Sequence, residues 1–354
     1  MNHRHGARCR GGLARAVLLA GLAGPAAAQQ PPAPEPPPAS VVGRVIAADG
    51  GEPIRFSLVY LVRADAAVRI GATLTDADGA FLFRDVSPGT YHLRVDRLGY
   101  EPEPGRPIVL ASGERYTALL ASAPRAVAIA PIVVSGEACY GAEELREVPE
   151  LAKLWREAVK AAEARRLFDR RYRYTATLRQ VVWTPARFAG PVRRATQRTV
   201  TNDPARAVRL EEHGADPGYG WDLPGRIRLT APELPELFGP SFLRTHCLVV
   251  EADRKRERRI GFRPLIADSG RVDISGTIVL DSAVAVDRLE LRYLRGVVVI
   301  AEGELRYGQV PVLGGALRFA RRLDVHGLRP GGRRSWEGRA RVEDYRDFAA
   351  DTAR

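Results

Sequence analysis

Two groupings in this sequence combine side chains that do chemistry. Glu211, Glu212, His213 and Asp216 set an imidazole among three carboxylates, the donors that a metal ion or an acid–base pair would use. They fall in a Gly-rich stretch ahead of Trp221, where adjacent charges are expected to be solvated. The run from Arg254 to Arg259 offers cations to a phosphate, but Asp253 and Glu257 break it up and strand-like segments flank it, so it reads as a hairpin tip. Asp76 and Asp78 could be taken for calcium ligands. The ordered acidic run ending in Glu that a calcium loop needs is missing, and a turn role is expected for them.

The common catalytic motifs are also missing. None of His92, His213, His246 and His326 has Glu three residues later, and no H-E-x-x-H, G-x-S-x-G, phosphate-loop or dinucleotide fingerprint occurs. The expectation is therefore no catalytic residue, no cofactor and no metal.

The chain has 354 residues, 45% hydrophobic and 27% charged, a mixture suited to folded domains. It is too short for an outer-membrane transporter barrel of ~22 strands with ~10 residues each plus any other domain. The net charge of +12 suggests nucleic acid at first sight. Only Lys153, Lys160 and Lys255 are lysines among 54 cationic residues, a bias that reflects coding composition rather than a selected binding surface, so no nucleic-acid partner is expected.

Residues 1–28 carry the three parts of a secretory signal. A basic stretch with Arg8, Arg10 and Arg15 precedes the apolar run Ala16 to Ala23, and Ala26, Ala27 and Ala28 follow, with cleavage expected after Ala28. The apolar run is shorter than the ~20 residues needed to span a bilayer, and no later segment reaches that length, so no transmembrane segment is expected after cleavage. Cys9 lies ahead of the apolar run and cannot serve as a lipidated cysteine. The expected location is the periplasm or the exterior, with association to the outer membrane left open.

Cys139 and Cys247 would then be the only thiols of the mature chain, in an oxidising compartment. A disulfide between them is expected; two separate buried thiols, or a metal pair with His246, are the competing readings.

Among the elements that must position these groups, residues 29–40 (QQPPAPEPPPAS) form an extended Pro-rich linker. Residues 41–121 show short alternating runs separated by turn residues: 41–46, 57–62, 67–74, 80–83, 91–97, 108–110 and 115–121. In the fifth run Tyr91, Leu93 and Val95 point inward, and His92, Arg94 and Asp96 face water. Seven strands in this span predict a β-sandwich. Residues 122–138 read as a second linker, with a β-like run from Val127 to Val134.

From residue 139 onward the pattern is α+β. Pro149 suits a first helical turn, and Leu151, Leu154, Trp155, Ala158, Val159 and Ala162 recur at helical spacing toward Leu167. A short helix is expected around Pro232 to Phe238. Tyr172, Tyr174, Ala176 and Leu178, then Ile274, Gly276, Ile278 and Leu280, then Leu289, Leu291 and Tyr293 alternate with polar residues, as half-buried antiparallel strands do. The fold class is mainly β: a seven-stranded sandwich, then an α+β domain at 139–354 with one long helix on a large curved antiparallel sheet.

Three blocks carry a resemblance: GRVIAADGGEPI from Gly43 to Ile54, TDADGAFLF from Thr75 to Phe83, and SPGTYHLRV from Ser87 to Val95. In order and spacing they resemble the carboxypeptidase regulatory-like domain. That family is a transthyretin-like seven-stranded sandwich appended to metallocarboxypeptidases, bacterial surface proteins and TonB-dependent receptors. IVVSG from Ile132 to Gly136 is similar to the tail that leads into a receptor plug, but no plug-like sequence follows. DISGTIVLDS with RLELRY, Asp273 to Ser282 and Arg288 to Tyr293, resembles paired strands of periplasmic lipoprotein-carrier-like half-barrels. The resemblance therefore implies a regulatory-like domain without its peptidase.

Three functions compete on these observations. The first is an exported, non-catalytic envelope protein, a binding or adaptor module whose partner is an envelope protein, a glycan or an apolar ligand. The second is a periplasmic carrier of a lipid or other apolar ligand in the C-terminal sheet, and the third is a hydrolase whose carboxylates no motif reveals. A Leu-, Ile- and Tyr-lined groove without convergent acids favours the carrier, whereas two close carboxylates favour the enzyme.

Overall fold

Alternation carries the first seven strands: β1 (Ala39–Ala47), β2 (Leu58–Arg63), β3 (Arg69–Leu74), β4 (Ala80–Val86), β5 (Gly89–Asp96), β6 (Glu103–Leu110) and β7 (Arg115–Ser122). In this computed structural model, residues 36–101, 103–125, 138–184, 192–202, 218–223, 226–251, 257–329 and 332–350 are described. The strands make two sheets, β4-β1-β7 and β3-β2-β5-β6. Val41, Val45, Val59, Leu61, Tyr91 and Leu93 meet between them and are almost fully buried. The turn into β4 is built as its sequence suggests. Asp76 Oδ1 accepts from the Asp78 and Ala80 amides at 3.0 and 2.8 Å, and Gly79 takes φ +71° where a Cβ would lie 2.5 Å from the Val45 carbonyl oxygen.

The second half comprises β8 (Cys139–Tyr140), α1 (Pro149–Arg171), β9 (Tyr172–Thr184), β10 (Val192–Thr201), the hairpin β11 (Gly220–Leu223) and β12 (Arg226–Leu229), then β13 (His246–Val250), β14 (Arg258–Pro264), β15 (Val272–Leu280), β16 (Val286–Arg295), β17 (Val298–Val312), β18 (Gly315–Leu328) and β19 (Arg334–Ala350). Two single-turn helices, Leu234–Leu237 and Phe242–Thr245, precede β13. Ten strands form one sheet in the order β10-β9-β19-β18-β17-β16-β15-β14-β13-β8. The last strand of the chain is inserted between β9 and β18. Bulges interrupt the register of β15 to β19, and bulges bend strands and increase their twist.

Helix α1 starts on Pro149, carries Arg170 and Arg171 in its last turn where the helix dipole favours cations, and ends at an extended Tyr172 that opens β9 with no loop. Its Leu151, Leu154, Trp155 and Ala158 bury against one face of the large sheet, with Leu248, Ile274, Ile278 and Leu289. Phe168, nearer its end, belongs to a different cluster that contains Phe56, Leu58, Tyr60 and Leu74 of the sandwich as well as Val310, Val312 and Phe319 of the large sheet.

Sandwich and sheet therefore share a core, and residues from Pro37 onward form one unit. In β2, Val59 and Leu61 point into the sandwich while Leu58 and Tyr60 point toward α1, so the strand is buried on both faces. The same covering overturns one expectation. Asp96 does not face water: it is 4% exposed, 3.6 Å from Lys160 Nζ on α1 and 2.6 Å from Arg94, because α1 lies over that end of β5.

The opposite face of the large sheet is charged. Arg288, Arg306, Arg322, Arg341 and Arg179 are direct cross-strand neighbours on β16, β17, β18, β19 and β9. Glu290, Glu304 and Asp324 form the adjoining row, and ion pairs such as Arg288–Glu290 and Arg306–Glu304 link the rows. Arg288, Arg306, Arg322 and Arg179 of this face thus meet carboxylates, and largely exposed pairs contribute little stability each.

Candidate functional site

A cleft of about 540 Å³ opens on the face of the large sheet that carries α1. β17 supplies Leu305 and Tyr307, β18 supplies Ala320 and Leu323, and β19 supplies Ala340, Val342 and Tyr345. Across from them stand Arg165 and Asp169 of α1, Tyr174 of β9, and the segment 231–235 that leads into the first single-turn helix.

The polar end of the cleft is a closed network. Arg165 Nε lies 2.9 Å from both Asp169 oxygens, its Nη2 donates to the Tyr174 hydroxyl at 2.6 Å, and that hydroxyl donates to Asp169 Oδ1 at 3.0 Å. The guanidinium also stacks over Phe319, 3.7 Å from the ring centre. Burial by itself would weaken the Arg165 charge, but Asp169 and Tyr174 outweigh it and hold its pKa above the ordinary value. Burial and the neighbouring Asp169 push the Tyr174 phenol up, and burial pushes Tyr345 up to about 12. Both phenols are therefore neutral hydrogen-bonding groups at physiological pH.

Asn202 fixes the frame. Its side chain accepts from the Tyr174 amide at 2.8 Å and donates to the carbonyls of Tyr172 and Asp169, which ties the end of α1 to the start of β9. Tyr345 donates to the Ala320 carbonyl at 2.7 Å. Glu233, the other carboxylate on the cleft wall, closes a capping box with Glu236 on the single-turn helix that follows it.

The residues singled out in the sequence are placed elsewhere. Glu211, Glu212, His213 and Asp216 lie outside the described residues, as do residues 126–137, which hold the β-like run and the IVVSG tail, and residues 252–256, which include Asp253 and the first part of the basic run. Arg259, the end of the basic run, is buried and hydrogen-bonded to Glu290 at 2.7 Å and Glu251 at 3.1 Å, so it is neutralised. The described histidines do not converge. His92 lies on β5, 3.3 Å from the Gly105 carbonyl; His326 lies on β18, 3.3 Å from Glu302; His246 is buried with Nε2 3.0 Å from Asp273 and its ring stacked on Phe242. Among the described residues no group of three or more His, Cys, Asp or Glu could hold a metal ion.

Cys139 and Cys247 are joined in a disulfide with their Cα atoms 5.3 Å apart, within the span such bonds require. The bond connects the short edge strand β8 to β13, which pair through Val249 and Cys139. With its ring bonded to Asp273 and Thr245, His246 is not a ligand partner of these sulfurs.

The Arg165, Asp169 and Tyr174 network is absent from the sequence reading. Its one local signal is an Arg–Asp pair at i,i+4 on a helix, a spacing too common to single out.

Among the described residues no helix is long and apolar enough to cross a membrane, which leaves membrane-crossing strands unaddressed. No curated protein matches the chain. Among solved structures, the group B streptococcus pilus 2b backbone protein is 15% identical with a TM-score of 0.21, over 24% of this chain and 41% of its own. The hydroxyquinol 1,2-dioxygenase of Pseudomonas putida is 12% identical with a TM-score of 0.21, over 26% and 58%. A candidate carbohydrate-binding protein of Bacteroides uniformis is 9% identical with a TM-score of 0.23, over 73% and 99%. The chain thus spans less than two thirds of the pilus protein and of the dioxygenase, and scores this low carry no argument about activity. The family model of the carboxypeptidase regulatory-like domain matches residues 40–121, the span of the seven-stranded sandwich.

Proposed function

We propose that the protein is an exported, non-catalytic cell-envelope protein, a binding module that holds a small, largely apolar ligand in the cleft of its C-terminal sheet. The observation that carries this reading is the state of the two carboxylates on the cleft wall. Asp169 is locked to Arg165 and Tyr174, and Glu233 closes a helix cap, so neither is free to act as general acid or base. The rest of the wall is mainly Leu, Val, Ala and Tyr, and the volume lies in the range of small-molecule sites, about 300–1,000 Å³. Export is supported by the basic, apolar and small-residue segments of residues 1–28 and by a pair of cysteines placed to cross-link.

Native mass spectrometry of protein purified from its own envelope tests the reading. A small-molecule adduct is expected, and it is expected to be lost in Ala340→Trp, which fills the cleft, while the melting temperature is kept. Retention of the adduct in that variant would place the ligand elsewhere. Release of C-terminal amino acids from peptides by the pure protein would overturn the non-catalytic reading.

A further inference from the structure

A second cleft, about 630 Å³, lies where the sandwich meets α1 and the ends of β16 to β18. Six cations line it against two acids, Asp96 and Asp281. Four of the six have carboxylate partners: Lys160 with Asp96 and Glu157, Arg125 with Glu101, Arg165 with Asp169, and Arg318 with Asp281.

Among the described residues Arg55 and Arg97 have no carboxylate within ion-pair distance. Arg55 donates through Nε to the Ala77 carbonyl at 2.7 Å and through Nη1 to the Gly314 carbonyl. Arg97 donates through Nη1 to the carbonyl of Arg55 itself and lies over the Tyr100 ring, 5.1 Å from its centre. Backbone oxygens therefore orient both guanidiniums and use three of the ten N–H donors that two arginines carry.

Arg97 is half-buried and Arg55 exposed beside it; like charges in one cleft repel, and partly withdrawing Arg97 from water costs free energy unless an opposite charge offsets it. Burial lowers the Arg97 pKa from its ordinary value, and Tyr100 only partly opposes the shift. Guanidiniums held by backbone oxygens and keeping spare donors suit phosphate and carboxylate oxygens. We propose that Arg55 and Arg97 form an anion site at this junction, which takes a phosphate or carboxylate group between the sandwich and the C-terminal sheet. Because α1 and β18 supply Lys160 and Arg318 to the same cleft, a bound anion would also brace the two halves against each other.

The test is a thermal and calorimetric titration of the full mature chain with inorganic phosphate, acetate and glycerol 3-phosphate, each against potassium chloride at equal ionic strength. Saturable stabilisation by at least one of the three beyond chloride is expected. Arg97→Gln should weaken that binding about tenfold or more, the loss of one charge-assisted contact. Arg292→Gln, on the opposite charged face, should leave it unchanged. If Arg97→Gln does not fold, Arg97→Lys keeps the charge without the fork and should still bind more weakly. Tighter binding of glycerol 3-phosphate than of phosphate would assign the site to an esterified headgroup, and the reverse to a free anion. No saturable binding of any of the three, or equal binding by wild type and the Arg97 variants, would overturn the proposal.

Discussion

Phe168 of α1 meets Phe56 of the sandwich edge-on, with ring centres 5.7 Å apart and planes at 85°. Phe168 is fully buried and also packs against Tyr172 and Phe319, so a single side chain joins the sandwich, the helix and the large sheet. Truncating it should therefore affect both halves of the protein together. Phe168→Ala is expected to cost about 3–5 kcal/mol in urea unfolding, with one cooperative transition in the wild type. A wild type that unfolds in two separated steps, with only the second shifted by the substitution, would contradict this coupling.

The sandwich should nevertheless fold by itself. Its own core of Val41, Val59, Leu61, Tyr91 and Leu93 does not depend on α1, and residues 40–122 exceed the ~40 below which a domain usually needs staples. A fragment of those residues is expected to melt cooperatively, below the whole protein, because Leu58, Tyr60 and Leu74 lose their cover. A fragment with no thermal transition would show that the sandwich depends on the C-terminal sheet.

Reduction should destabilise the protein. The Cys139–Cys247 bond spans 108 residues, and closing a loop of that order is worth roughly 4.7 kcal/mol in the chain-entropy account. Reductant, or Cys247→Ser, is expected to remove a large part of that from the unfolding free energy, read as a lower urea midpoint at unchanged m. Two alkylatable thiols in unreduced, denatured protein would show that the bond does not form.

The network at the cleft should respond unequally to single and double changes. Asp169→Asn leaves Arg165 buried without its counter-charge and is expected to cost about 3–5 kcal/mol, whereas Arg165→Met combined with Asp169→Leu should recover much of the loss. A double variant as unstable as the sum of the single ones would mean that the pair is not coupled. A double-mutant cycle by urea denaturation measures the difference.

Acid should weaken the fold through Asp273. Burial pushes its carboxyl up, but the hydrogen bond and charge of His246, the Ile274 amide and Arg271 outweigh burial and hold its pKa below the ordinary value. A carboxylate with a depressed folded-state pKa adds stability that is present above its unfolded value near ~3.9 and is lost as pH falls through the folded value. Wild-type stability should therefore drop below about pH 4, and the drop should be shallower in Asp273→Asn, which starts less stable. Parallel pH profiles of the two proteins would exclude Asp273 as a contributor; the depressed Glu290 and Asp324 would then account for the slope.

Much of the fold is legible because it is local. The 3.6-residue spacing from Leu151 to Ala162 marks α1, the period of two from Tyr91 to Val95 marks a sandwich strand, and the Asp76–Gly79 turn needs only its own backbone geometry. The cleft is different. Arg165 and Tyr307 are 142 positions apart in sequence, and nothing near either residue says that β17 will lie opposite the end of α1.

The sequence by itself determined the strands, the long helix, the turn chemistry, the regulatory-like blocks and the pairing expected of Cys139 and Cys247, since each follows from short-range sterics, periodicity or counting. The tertiary structure decided which layer covers the second face of β2, that Asp96 meets Lys160 instead of water, that β19 inserts between β9 and β18, and that Arg55 and Arg97 share a cleft. A period of two tells which residues share a side of a strand, but what covers that side depends on contacts between segments a hundred or more residues apart, which only the folded chain brings together.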